Sequence, residues 1–142
     1  MDIIKRNTDY ALRILSELVN DPNRQRVLSA RHLSDVLHIP YPITCKLLQK
    51  LQDCKITTSI MGPKGGYTLA RPPSQITFLE VIEAIQGPIH MNRCFFNRFH
   101  CPLKERCPLR KKLGKIHEDI LFSLKTTTLE EIQDKGLNQT GE

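Results

Sequence analysis

The chain has 142 residues, of which 39% are apolar and 25% charged, and a formal net charge of +6. That length allows one domain, or one domain plus an arm, with room for a core shared between two copies. No stretch approaches the roughly 20 apolar residues of a membrane span, and Met1-Asp2-Ile3-Ile4-Lys5 lacks the apolar segment of a signal peptide, so a cytoplasmic protein with no membrane partner is expected. The basic balance points to an anionic partner, with nucleic acid the default and a merely soluble surface the plain alternative.

Residues 2–20 read as a helix, with Ile3, Tyr10, Ala11, Ile14, Leu15 and Leu18 at helical spacing. Asn20-Asp21-Pro22-Asn23 stops it. Ser29 is a good cap for a second helix, Ala30 to Leu37, whose Leu33, Val36 and Leu37 share a face. After the break His38-Ile39-Pro40, a third helix starts near Tyr41 or Pro42 and runs to about Asp53, with Leu47, Leu48 and Leu51 inward. Helix, short turn, helix is the spacing of a helix-turn-helix unit.

Ile56-Thr57-Thr58-Ser59-Ile60 is β-branched and reads as a strand. Gly62-Pro63-Lys64-Gly65-Gly66 is a turn, and Tyr67-Thr68-Leu69-Ala70 is a second strand. Two strands around a glycine-rich basic tip, directly after a helix-turn-helix, make a wing. Pro72-Pro73 ends it, Thr77 begins a short helix over Phe78 to Ile85, and Gly87-Pro88 stops that helix. From Pro108 a long helix carries Leu109, Leu113, Ile116, Ile120 and Leu124 as a narrow apolar stripe. A second copy of the chain is the simplest partner for it. Thr128-Leu129-Glu130-Glu131 is a capping-box pattern for a last short helix. The expected fold is mainly α with a small β-wing: a winged helix-turn-helix domain over 1–88 (wing about 56–71), a cysteine-rich loop over 89–107, a dimerisation helix and short final helix over 108–135, and a disordered tail over 136–142.

The five cysteines are an odd number, so a complete set of intrachain disulfides is impossible. Cys94, Cys101 and Cys107 lie in one basic, turn-rich stretch, the last two each followed by Pro-Leu. Pro108 suits the first position of a helix, which makes Cys107 its cap. A thiolate there meets the positive end of the helix dipole. Three such thiols suggest a soft metal or an iron–sulfur cluster. Structural zinc is the rival metal, with His100 as a local fourth ligand. Packed free thiols are the plain alternative for the three, and the expected state of Cys45 and Cys54. His32, His38, His90 and His117 read as surface or interhelical histidines.

Three stretches resemble the dimeric bacterial winged-helix regulators of the NsrR, IscR and RirA type, the Rrf2 family. They are Asp9-Tyr10-Ala11-Leu12-Arg13, then Gly62-Pro63-Lys64-Gly65-Gly66-Tyr67-Thr68-Leu69-Ala70-Arg71, then Ile76 to Pro88 followed by the three cysteines. The resemblance implies a homodimer with crossed C-terminal helices, a cluster on Cys94, Cys101 and Cys107, and DNA affinity that changes with the cluster. One branch takes its fourth ligand from a His three residues after the last cysteine, a place held here by Arg110. The NsrR-like branch takes an acidic residue of the other subunit's first helix, matched here by Asp9. That pattern favours a 4Fe–4S cluster over 2Fe–2S. The family wing usually carries Arg where this chain has Met61, and Cys45 stands where some relatives carry a Glu, so the operator sequence does not carry over.

For double-stranded DNA, Lys46, Lys50, Lys64 and Arg71 are the expected phosphate contacts, and Tyr41, Pro42, Thr44 and Cys45 the expected groove-facing residues, on a two-fold-symmetric operator. Competing readings are a cluster-free thiol switch using Cys101 and Cys107, and an iron–sulfur carrier, which would need no groove-reading unit. No acid–base pair, nucleophile elbow or phosphate loop suggests an enzyme.

Overall fold

The first helix begins later than its apolar pattern, for a reason seen in its neighbour. In the computed structural model, which describes residues 2–20, 27–96 and 100–133, helix α1 spans Arg6–Val19. The residues before it are held by Gln86. Its Nε2 donates to the Ile3 carbonyl at 2.8 Å, while Lys5 N–H and Thr8 Oγ1 donate to its Oε1 at 3.0 and 2.7 Å. Ile3 therefore stays 47% exposed and does not join the buried face formed by Ala11, Ile14, Leu15 and Leu18.

Helix α2, Ala30–Leu37, is capped by Ser29, whose Oγ accepts from His32 N–H at 3.1 Å. It ends where His38 turns left-handed, and Ser34 Oγ donates to the Ile39 carbonyl across the turn at 2.6 Å. Helix α3, Tyr41–Asp53, carries proline in its first turn and buries Leu47, Leu48 and Leu51. Strands β1, Thr57–Ile60, and β2, Gly66–Leu69, pair antiparallel from Thr57 opposite Leu69 to Ile60 opposite Gly66. Leu28 adds a bridge to Tyr67, with reciprocal backbone bonds of 2.9 and 2.8 Å. Gly66 makes this possible: a Cβ there would lie 2.6 Å from the Leu28 carbonyl oxygen, and its φ of +156 is rare for other residues.

A 3-10 turn at Pro73–Gln75 leads to helix α4, Phe78–Gln86, capped by Thr77 Oγ1, which accepts from Glu80 N–H at 3.2 Å. Helix α5, Pro108–Thr126, packs along α4. All of α5 lies among the described residues, and none of it is fully buried. The chain then returns to the core. Phe78 N–H donates to the Thr127 carbonyl and Leu129 N–H to the Ile76 carbonyl, both at 2.9 Å, and Leu129 is fully buried. The expected capping box at Thr128 and Glu131 is present, on a 3-10 helix, Leu129–Ile132. The tail over 136–142 lies outside the described residues.

Candidate cysteine centre and nucleic-acid interface

Cys94, Cys101 and Cys107 line one cavity of about 250 Å³, together with Asn92, Arg93, Lys104, Leu109, Arg110 and Leu113. Three different local structures bring them there. Cys94 sits in a 3-10 turn, Arg93–Phe95, that Asn92 caps by accepting from Arg93 N–H at 2.7 Å. Cys101 begins a turn closed by Lys104 N–H donating to its carbonyl at 3.1 Å. Cys107 caps α5, its Sγ accepting from Arg110 N–H at 3.4 Å. All three are half-buried free thiols. The cavity wall is cationic at Arg93, Lys104 and Arg110 and apolar at Leu109 and Leu113. Among the described residues, no three His, Cys, Asp or Glu side chains form a group placed to hold a metal ion.

Neither proposed fourth ligand lines the cavity of its own chain. Asp9 lies on α1 with its side chain 48% exposed, in an ion pair of 2.9 Å with Arg13. His100 is exposed beside Cys101. Cys45 is half-buried and Cys54 exposed, both as free thiols.

Behind the cavity the loop packs on α5 through aromatic rings, a feature not read from the sequence. Phe95 stacks on His117 at 5.0 Å, with 5° between the planes. His90 lies 4.4 Å from the Phe96 ring and 6.3 Å from that of His117, and the Arg110 guanidinium lies 5.8 Å from the Phe95 centroid. His90 Nδ1, His117 Nδ1 and Arg110 Nε are buried without a hydrogen-bond partner among the described residues. Phe95 and Phe96 next to Cys94 were the available signal, since adjacent aromatics in a polar loop need a surface to cover.

The residues expected to read DNA separate into two groups. Tyr41, Pro42, Lys46 and Lys64 are exposed, while Cys45 and Lys50 are half-buried. Thr44 is fully buried and its Oγ1 donates to the Pro40 carbonyl at 3.2 Å. It faces the core because it lies on the Leu47–Leu48–Leu51 side of α3, so it presents nothing to a groove. Arg71 is also engaged: it donates to the carbonyls of Lys55 and Gln75 at 3.2 and 3.0 Å and pairs with Glu80. It fastens the wing base to α4 and offers no free charge to phosphate. Arg31, missed in the sequence, lies 3.9 Å over the Tyr41 ring. A basic residue in the first turn of α2, opposite the start of α3, was the signal for it. A hydrogen bond with Cys45 pushes the Tyr41 phenol above its ordinary pKa, against the opposing pull of Arg31.

Along α5, Leu109 and Ile116 are 63% and 48% exposed, while Leu113, Ile120 and Leu124 are half-buried. Phe122, off the stripe, is 68% exposed.

The model of the Rrf2 family, described as iron-dependent transcriptional regulator, matches residues 4–135. The chain belongs to the Rrf2 family. It is 28% identical over 133 residues to the HTH-type transcriptional regulator NsrR of Shouchella clausii, covering 93% of this chain and 87% of that one. A second relative, a transcriptional regulator of Aquifex aeolicus, is 27% identical over 125 residues, 87% of this chain and 85% of its own. Among solved structures, CymR, the global cysteine regulator of B. subtilis, superposes with a TM-score of 0.78 at 24% identity over 96% of this chain and 99% of that one. IscR of T. potens gives 0.74 at 19% identity over 98% and 92%. At these identities the structural likenesses establish the winged-helix fold. This Rrf2 protein is thus a transcriptional regulator by family, and among its described residues no helix is long and apolar enough to cross a membrane.

Proposed function

We propose that this protein is a homodimeric, DNA-binding transcriptional regulator that senses redox state, nitric oxide or iron supply through an iron–sulfur cluster. Cys94, Cys101 and Cys107 would hold the cluster, with Asp9 of the partner subunit as its fourth ligand. The observation that carries the reading is the convergence of the three thiols on one cavity. The residues fit such a group. Three thiols lining one cavity are the soft donors that such a group takes. With three thiolates and one carboxylate, a 4Fe–4S(2+) group has a net charge of about −2, which Arg93, Lys104 and Arg110 offset from the cavity wall. Arg98, in the same basic stretch, lies outside the described residues, and Arg106 is exposed and off the wall. The backbone N–H of Arg110 already points at Cys107 Sγ, where it stabilises a thiolate. Leu109 and Leu113 make one side of the lining apolar. Bound there, the group would supply an iron whose carboxylate ligand exchanges more readily than a thiolate.

On the DNA side, Lys46, Lys50 and Lys64 contact phosphate, while Tyr41, Pro42 and Cys45 face the groove. The exposed Leu109 and Ile116, with Leu113, Ile120 and Leu124, form the dimer stripe.

The test is iron and sulfide content of protein purified without air. Replacing any of Cys94, Cys101 or Cys107 with Ala abolishes the cluster, whereas Cys45→Ala and Cys54→Ala keep it. Asp9→Ala leaves an open iron and faster decay in air, with His100→Ala as the control. Stoichiometric zinc without sulfide would overturn the cluster assignment. The shared cavity also favours one second reading, a Cys101–Cys107 thiol switch, which the same preparation would reveal as colourless protein that forms a disulfide on oxidation.

A further inference from the structure

The wing ends in an apolar point. Met61 is 92% exposed and Ile60, the last residue of β1, is 47% exposed. The turn beyond them is narrow. Gly65 N–H donates to the Gly62 carbonyl at 2.9 Å, Gly62 has a φ of +113, and a Cβ on Gly65 would lie 2.1 Å from the Ile60 carbonyl oxygen. The turn is thus built on two glycines and cannot broaden, and Met61 stands out from it beside a single cation, Lys64. The wing is also anchored to the preceding helix, since β1 packs on α3. Exposing a long apolar side chain at such a tip gives the isolated chain no packing energy.

We propose that Met61, backed by Ile60, is a specificity-determining wedge that enters the DNA minor groove, lodges at a pyrimidine–purine step and kinks the duplex there. This rests on reading α3 and the wing as the DNA-binding surface. The minor groove is about 6 Å wide and admits only a thin element. Apolar side chains inserted in it unstack a base step, and pyrimidine–purine steps yield most easily. Lys64, beside the wedge, supplies the wing's phosphate contact on kinked and straight duplexes alike. A cation in place of Met61 would instead seek the narrow, strongly negative groove of an A-tract. Methionine therefore makes this wing a reader of deformability rather than of groove potential.

The test uses the full chain and duplexes enriched from a random pool by the wild-type protein. Affinity is measured by titration, and bending by energy transfer between end labels. Replacing the TA or CA step under the wing with AA weakens wild-type binding on the order of tenfold. Met61→Ala removes that preference and most of the bend, leaving affinity for random duplex and its salt slope unchanged. Met61→Arg reverses the preference toward the AA duplex. At 92% exposure, neither change disturbs the fold. If Met61→Ala keeps both the step preference and the bend, the wedge is wrong while DNA binding stands. If the wild-type chain binds no duplex above background, both readings fall.

Discussion

Leu129→Ala tests how the long helix is fastened to the winged-helix core. Leu129 is fully buried, in the cluster that includes Ile14, Leu15 and Ile76. Its backbone is pinned by the Leu129 N–H bond to the Ile76 carbonyl at 2.9 Å and by the bridge between Thr77 and Thr128. The pinned backbone prevents the site from collapsing when the side chain shrinks. The loss should therefore fall in the upper part of the 2–5 kcal/mol range for such truncations, about 3–4 kcal/mol. For a chain of this size that lowers Tm by about 10 °C. Urea unfolding at one fixed protomer concentration measures it, because dimerisation adds to apparent stability. Thr128→Ala, which removes only the capping box, is the scale marker at about 1 kcal/mol. A loss below about 1 kcal/mol for Leu129→Ala would refute the view that the return of the chain to the core is structural.

Replacing Leu113 and Ile120 with Asp puts charges into the α5 stripe and should give monomers in sedimentation; a wild-type monomer at micromolar concentration would dismiss the crossed-helix dimer. Lys50→Ala and Lys64→Ala should weaken all duplexes about equally and flatten the salt slope by about one each, with unchanged slopes counting against phosphate contact. Because the hydrogen bond with Cys45 raises the Tyr41 pKa, the protonated phenol is the form the fold favours. Its contribution holds through neutral pH and is lost as pH rises through the raised value. Cys45→Ala should move the tyrosinate transition of Tyr41 down, read by absorbance with Tyr10 and Tyr67 changed to Phe, and an unmoved midpoint would show that the bond is absent.

Elements with strong local signals were legible in the sequence. The Ser29 and Thr77 caps, the wing turn and the Cys107 cap all depend on residues within three positions of one another. What could not be read depends on long-range partners. Thr44 looked available on the DNA-reading helix, yet it lies on the buried side of α3. Arg71 looked free because Glu80 is nine residues away and meets it only once the wing folds onto α4. The start of α1 was placed too early because nothing local announces that Gln86 will take the hydrogen-bonding groups of Ile3 and Lys5. The cysteines were legible as a set from their spacing, but the stack of Phe95 on His117 was not, since it joins the loop to the middle of α5.

Those long-range contacts also define what a signal at the cysteines would have to move. The loop hangs between two fixed points, the end of α4 and the start of α5. Cys107 is itself the cap of α5, so a change in its bonding acts directly on that helix's first turn. At the other end, Gln86 closes α4 one residue before the Gly87 turn, and its amide holds Ile3, Lys5 and Thr8. A shift at the exit of α4 therefore pulls on the first turn of α1, the helix that carries Asp9. Helix α1 in turn packs on α3, the helix bearing Lys46 and Lys50. Beyond the far end of α5, Leu129 fastens the chain to the core. In the proposed regulator, Gln86 and α1 join the exit of α4 to α3, and an Asp9 bond to the partner subunit's cluster would act on the same helix.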